Sequence, residues 1–309
     1  MGSMSVPIRE TPTAISYRGR FAPSPTGPLH FGSLVTALGS YLEARHQQGQ
    51  WLVRMEDLDP PREEPGAADA ILRALETYQL HWDGPVLYQS TRQAAYEAAL
   101  TQLAKGHYSF ACGCSRKEIA ASGATVYPGT CREGLPPGKQ ARAVRVRVPD
   151  QIQTFHDILQ GSLRTDLLRE VGDFVVRRAD GLYAYHLAVV VDDAAQGISH
   201  IVRGSDLLDA TPPQRYLQQC LGYSHPEYCH LPVAVNQQGQ KLSKQTFAAP
   251  LDERNPGHTL VRALTFLGHP PPDELRGADP GLLLRWAEAQ WDLEKVPHCA
   301  AICSEPDDN

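Results

Sequence analysis

No stretch of this chain approaches the ~18 consecutive apolar residues that a membrane-spanning helix needs, and no apolar leader core follows its N-terminus. Membrane-embedded and exported classes are set aside, and the expected location is the cytoplasm. Net basic charge is missing as well. The formal charge is −6, whereas proteins that hold nucleic acid by bulk electrostatics are basic. Any contact with RNA must come from local basic patches. A disulfide framework is also excluded. The seven cysteines, Cys112, Cys114, Cys131, Cys220, Cys229, Cys299 and Cys303, are odd in number and come without an export signal. There is no internal repeat, and nothing in the composition is fibrous, collagenous or broadly disordered. What is present, 309 residues with 42% hydrophobic content, can bury a real core in one to three domains of about 100–200 residues each.

The chain opens with Met1-Gly2-Ser3-Met4, a tag-like leader, and residues 1–16 are left out of the fold. Tyr17 to Phe21 reads as a strand that runs into Ala22-Pro23-Ser24-Pro25-Thr26-Gly27-Pro28, where proline and glycine forbid regular structure. Leu34, Val35, Leu38, Tyr41 and Leu42 then recur at helical spacing, and Trp51 to Met55 forms a second strand. A strand–helix–strand unit predicts an α/β fold on a parallel, Rossmann-like sheet. Two more helices follow, one carrying Ile71, Leu72, Leu75 and Tyr78, the other Ala95 to Leu103. The expected division is a catalytic domain over 17–105 and 182–235, an insertion over 106–181, and a mostly helical region over 236–309. Inside the insertion, Ala143 to Val148 alternates as a half-buried strand with Arg145 and Arg147 on its wet face, there either to meet RNA phosphate or simply to be solvated. Asp180-Gly181 between two β-rich runs, Phe174–Arg177 and Tyr183–Val191, predicts a hairpin. Ser304 to Asn309 is an acidic, fraying tail.

Two short segments carry phosphate chemistry. In Pro28-Leu29-His30-Phe31-Gly32-Ser33 a Pro/Gly loop enters a helix. Helix N-termini present free N–H groups and partial positive charge, so they attract phosphate. His30 can donate to phosphate oxygens, and Gly32 lets a base or ribose approach the backbone. In Lys241-Leu242-Ser243-Lys244-Gln245 two ammonium groups flank a serine and can neutralise charge that builds on phosphorus in a transferring nucleotide. Each segment alone is also compatible with an ordinary helix entry or a solvated face; their order along one chain is what gives them weight.

Arg20-Phe21-Ala22-Pro23-Ser24-Pro25-Thr26-Gly27-Pro28-Leu29-His30 resembles the opening of glutamyl- and glutaminyl-tRNA synthetases. His30 to Ser33 resembles their "HIGH" motif and Lys241 to Gln245 their "KMSKS" motif; Arg54 to Asp59 and Val202 to Leu207 match as well. The resemblance covers Tyr17 to about Gly268. It implies a class I synthetase catalytic domain that makes glutamyl-adenylate from glutamate and ATP with Mg²⁺. It implies that Arg20 and Arg203 hold the glutamate γ-carboxylate, a task suited to guanidinium. Glu56 would accept from the α-ammonium. Phe21, Ala22, Pro23, Ser24 and Tyr185 would line the same pocket. His30, Gly32, Ser33 and Lys244 would bind ATP, and His30, Lys241 and Lys244 would carry the catalytic charge.

The chain continues only about 65 residues beyond the second motif, which leaves room for a small stem-contacting region and none for a large anticodon-binding one. In that respect, and in ending its motif with Gln245 where full-length relatives have Arg, it resembles the short paralogues that glutamylate queuosine in the anticodon stem-loop of tRNA(Asp). The same resemblance makes Cys112, Cys114, Tyr127 and Cys131 the ligands of one structural Zn²⁺. Three thiolates suit zinc; a tyrosine oxygen is rarer and needs the metal's help to lose its proton. A monomer is expected. Two further readings stay open: a minimal glutamyl-tRNA synthetase that charges a tRNA 3′ end, and a non-catalytic nucleotide-binding paralogue.

Overall fold

The structure is a computed structural model that describes residues 17–242 and 250–304. The leader 1–16, the tail beyond Ser304, and Ser243, Lys244 and Gln245 of the second phosphate motif lie outside the described residues.

The elements run in order β1 (Arg18–Phe21), α1 (Phe31–His46), β2 (Gln50–Met55), α2 (Ala67–Thr77), β3 (Leu87–Tyr88), α3 (Gln93–Lys105), β4 (Ser109–Cys112), α4 (Arg116–Ala121), β5 (Ala143–Val146), β6 (Ile152–Asp157), β7 (Gly161–Asp166), β8 (Val175–Arg177), α5 (Tyr185–Ala195), β9 (His200–Gly204), α6 (Thr211–Leu221), β10 (Glu227–Leu231), β11 (Val233–Val235), α7 (Pro256–Phe266), α8 (Pro280–Gln290) and β12 (Ala301–Cys303). β1 pairs in parallel with β2, and β2 with β3. β9 and β10 are parallel in register, and β10 meets β6 in parallel, with β7 antiparallel at the edge. The Ser199 N–H donates to the Arg18 carbonyl at 3.0 Å, joining the two groups edge to edge. The result is two mostly parallel sheets set edge to edge, the arrangement that the strand–helix–strand reading leads to.

Helix α1 is the centre of the fold. His30 is its N-cap, with Nδ1 accepting the Ser33 N–H at 3.3 Å. Leu34, Leu38 and Leu42 are fully buried, each contributing about 1.5–3 kcal/mol relative to an exposed position. The helix packs tightly against the sheet at Gly39, where a Cβ would come within 2.6 Å of Leu231 Cδ1. Helices α7 and α8 cover its other side through Leu260, Leu264 and Leu283, joined by Trp291 just after α8.

A second apolar cluster differs from expectation. Tyr183–Val191 does not form the far strand of a hairpin; apart from a single bridge from Tyr183 to Arg177, Tyr185–Ala195 is helix α5. Leu187, Ala188, Val190 and Val191 are all buried among α3 and α6 residues. A helix wrapped by protein has no polar face, so its valine run carries no helical period and reads as strand. The turn at Asp180-Gly181 does form, with the Arg178 N–H donating to the Leu182 carbonyl at 2.8 Å.

β4, β5 and β8 make a separate antiparallel sheet. Arg145 on β5 is roofed by other side chains, while Arg147 just beyond it stays partly solvated, with about 33% of its side chain exposed. Arg145 lies over the Tyr127 ring at 4.0 Å and donates to the Asp173 carbonyl; Arg147 lies over Phe110 at 5.4 Å and bonds Glu133 and the Arg132 carbonyl. Alternation shows that a strand has two different faces, but a face of arginines can be roofed by aromatic rings as readily as by water.

Candidate active site

A cleft of about 1030 Å³ opens along the β1–α1 loop and the C-terminal ends of β2 and β9, the position where open α/β sheets bind ligands. Arg20, Phe21, Ala22, Pro23, Ser24, His30, Gly32, Ser33, Glu56, Tyr185, Arg203 and Lys241 all line it. The structure thus gathers every described residue that the sequence put forward as catalytic, substrate-binding or ATP-binding. Lys244 falls outside the described residues.

The two phosphate motifs meet at Gly32. A Cβ there would lie 3.3 Å from the His30 ring and 3.5 Å from the Leu242 carbonyl. Leu251 N–H donates to the Leu29 carbonyl at 3.0 Å, tying the chain after the second motif to the loop before the first. Since His30 Nδ1 accepts a backbone N–H, the proton of its neutral ring sits on Nε2, a donor. Lys241 Nζ reaches Asp206 at 2.5 Å, at the mouth of β9.

Deeper in, charge is concentrated. Arg20 Nε pairs with Asp193 Oδ1 at 3.1 Å, and Arg54 Nη1 pairs with the same oxygen at 2.8 Å. Arg54 is fully buried, and its Nη2 faces Glu56 at 3.6 Å. Burial alone would raise the Asp193 carboxyl, but Arg20 and Arg54 outweigh it and hold it below the usual value. Glu56 goes the other way: burial pushes it up to about 6, with Arg54, Arg20 and Arg203 opposing. Burial likewise raises Tyr185, against Arg203 and Arg20. The three guanidinium groups Arg20, Arg54 and Arg203 face two carboxylates, Asp193 and Glu56. One positive charge is left over, which an α-amino acid with an acidic side chain neutralises. The Nη groups of Arg20 make no hydrogen bond to a described residue, so the planar fork is open toward the cleft.

Asp193 is a buried partner of this cluster that motif reading missed, and Arg54 stood at the head of a matching segment without being given a role. A signal existed: Asp192-Asp193 ends a run of apolar residues, and Arg54 sits inside the apolar strand Trp51–Met55, where charge is retained only if paired.

A second cluster lies away from the cleft. The Sγ atoms of Cys112, Cys114 and Cys131 lie within 4.8 Å of one another. The Tyr127 hydroxyl is 3.4 Å from Cys112 Sγ and 3.7 Å from Cys114 Sγ, and it accepts the Cys131 N–H at 2.8 Å. Cys114 and Cys131 sulfurs are 3.6 Å apart. A tetrahedral metal with bonds of about 2.3 Å to sulfur has edges of about 3.8 Å, so these four atoms fit one such ion. Burial raises the Cys112 thiol, but Tyr127 and the Arg145 Nε–H at 3.4 Å outweigh it and hold it below its ordinary value. Cys220 and Cys229 are buried among apolar neighbours.

Residues 16–273 match the family model of tRNA synthetases class I (E and Q), catalytic domain. Glutamyl-Q tRNA(Asp) synthetase of Thiobacillus denitrificans is 58% identical over 90% of this chain and 94% of that protein. The proteins of the same name from Chromobacterium violaceum and Pseudomonas aeruginosa are 57% and 53% identical over 91% and 94% of this chain and 95% and 98% of their own lengths. Among solved structures, glutamate-tRNA synthetase from Elizabethkingia anophelis superposes with a TM-score of 0.78 at 27% identity, covering 93% of this chain and 68% of that one. The chain therefore belongs to the class I tRNA synthetases of the E and Q type, and within them to the glutamyl-Q tRNA(Asp) synthetases. Membership brings the reaction of the class, ATP-dependent attachment of an amino acid to tRNA. Among the described residues no helix is long and apolar enough to cross a membrane.

Proposed function

We propose that this chain activates glutamate with ATP and transfers it to the queuosine base in the anticodon of tRNA(Asp), and that its three cysteines and Tyr127 hold one structural zinc ion. The observation that carries the reading is the grouping of Arg20, Arg203 and Glu56 in the cleft that also holds His30, Gly32, Ser33 and Lys241. The names of the relatives that match this chain over nearly their whole length support the acceptor.

In the first step a glutamate α-carboxylate oxygen attacks the α-phosphorus of ATP, and the bond to the departing pyrophosphate breaks. Arg20 and Arg203 take the γ-carboxylate and leave the α-carboxylate as the nucleophile. Glu56 holds the ammonium, with Ala22, Ser24 and Tyr185 shaping the pocket. His30 and the N-terminus of α1 meet the nucleotide phosphates, which arrive with Mg²⁺. Lys241 and Lys244 offset charge on phosphorus and pyrophosphate. In the second step a hydroxyl oxygen of the queuosine base attacks the acyl carbon, the bond from that carbon to the adenylate oxygen breaks, and AMP leaves with the hydroxyl proton passing to its phosphate or to water. Neither step needs a covalent enzyme intermediate; positioning and charge neutralisation suffice. Cys112, Cys114, Tyr127 and Cys131 would hold the zinc ion between them, and it would serve by tying β4 to the loop around Cys131.

The test is incubation with ATP, labelled glutamate and one of three RNAs: tRNA(Asp) with queuosine, tRNA(Asp) without it, and tRNA(Glu). Label on queuosine-containing tRNA(Asp) alone is expected. Label on tRNA(Glu) would favour the minimal synthetase, and absence of ATP–pyrophosphate exchange with every RNA would favour a non-catalytic role.

A further inference from the structure

Arg20 and Arg203 share a pocket but are held in different ways. Arg20 is braced directly by a carboxylate, Asp193. Arg203, also buried, touches no carboxylate among the described residues. Its Nε donates to His230 Nε2 at 3.0 Å, its Nη1 to Gln214 Oε1 at 2.8 Å, and its Nη2 to Thr211 Oγ1 at 2.8 Å and the Leu207 carbonyl at 3.2 Å. A guanidinium has five N–H groups. These four bonds leave one Nη1–H of Arg203 for a ligand.

The negative charge is one residue further back. His230 Nδ1 lies 2.6 Å from Asp157 Oδ2, and both side chains are completely buried. Arginine Nε can only donate, so His230 Nε2 must present its lone pair. The imidazole proton therefore sits on Nδ1 and is given to Asp157. Asp157 Oδ1 is in turn fixed by the amides of Leu159, Gln160 and His230 at 3.1, 2.9 and 3.1 Å. The sheet builds this line: His230 and Arg203 are register partners on β10 and β9, and Asp157 ends β6, whose register partner on β10 is Tyr228.

We propose that His230, with its tautomer set by Asp157, is the positioning residue that aims Arg203 at the glutamate γ-carboxylate, and that a neutral imidazole stands there so that Arg203 keeps its full charge for the ligand. A carboxylate in direct contact would hold the arginine equally well but would compete with the substrate. This deepens the reading of the cleft as a glutamate site and rests on it.

Asp157→Asn tests the tautomer. Its oxygen stays with the three amides, so its NH₂ faces His230 Nδ1. The ring must then move its proton to Nε2, which points a donor at the Arg203 donor. The glutamate KM in ATP–pyrophosphate exchange, run with the RNA that the wild-type protein accepts, is expected to rise about ten- to a hundred-fold, the range for one hydrogen bond to a charged group. The KM for ATP is expected to stay within about two-fold, well below one such bond. His230→Gln keeps an acceptor for Arg203 and a donor for Asp157, so its glutamate KM is expected near that of the wild type. A role in stability alone would lower the melting temperature of either variant without separating the two KM values. Equal KM changes for glutamate and ATP in Asp157→Asn, or none, would overturn the proposal. So would ¹⁵N-histidine NMR showing His230 of the wild-type protein protonated at Nε2, a measurement that needs no variant to fold. If the wild-type protein shows no glutamate-dependent exchange with any RNA, the glutamate reading fails first, while the NMR result still reports on the Asp157–His230 geometry.

Discussion

Replacing Glu56 with glutamine should make this protein more stable and less active, with a pH dependence that follows from burial. The Glu56 carboxyl ionises at about 6 in the fold against an ordinary 4.5, because burial disfavours its charged form more than the neighbouring arginines favour it. The difference corresponds to about 2 kcal/mol. Because the folded value is the higher one, the group costs nothing below pH 4.5, where it is protonated in both states. The cost grows as pH rises from 4.5 to about 6 and is complete above that. Glutamine resembles the protonated acid and escapes it. Glu56→Gln is therefore expected to unfold at higher denaturant than the wild type at pH 8, by about 2 kcal/mol, and with nearly equal stability at pH 4. The glutamate KM in ATP–pyrophosphate exchange should rise by about ten- to a hundred-fold, the loss of one charged hydrogen bond to the ammonium. Glutamate at about ten times the wild-type dissociation constant should raise the melting temperature of the wild type clearly more than that of the variant. A variant that is less stable than the wild type at pH 8, or equally shifted at both pH values, would refute the reasoning.

Two further outcomes follow from buried charge and from the cysteine cluster. Asp193→Asn takes from the buried guanidinium of Arg54 its nearer counter-charge and leaves only Glu56 at 3.6 Å, so a loss of about 3–5 kcal/mol is expected in urea unfolding; a loss under about 1 kcal/mol would mean that water or Glu56 takes over the pairing. Purified protein should carry one zinc per chain, Cys114→Ser should carry markedly less, and a strong chelator should lower the melting temperature of the wild type; a metal-free wild type would remove zinc from the account.

Much of the fold was legible because its first unit alternates simple signals. Proline and glycine between Ala22 and Pro28 mark a loop, and apolar spacing from Leu34 to Leu42 marks α1. Helix α5 was illegible for the opposite reason: protein covers all its faces, so no period survives. At the site, the residues that face the ligand stand in short local motifs and could be read one by one. Their supports could not. Asp193, His230 and Asp157 come from three separate elements; the ion pairs of α5 with β1 and β2 set Asp193 behind Arg20, and the order of β6, β10 and β9 sets the other two behind Arg203. Arg145 likewise falls on the polar side of an alternating strand, and nothing local to that strand shows that the Tyr127 ring lies beneath it.

The contact at Gly32 sets a tolerance for the whole cleft. The Leu242 carbonyl, at the head of the second motif, lies just beyond where a methyl group at position 32 would sit, and that methyl would also press on the His30 ring. Two motifs far apart in the chain thus come within van der Waals reach of the same small residue. A change at residue 32 too small to disturb the fold of α1 would still alter the gap into which the nucleotide's phosphates must fit.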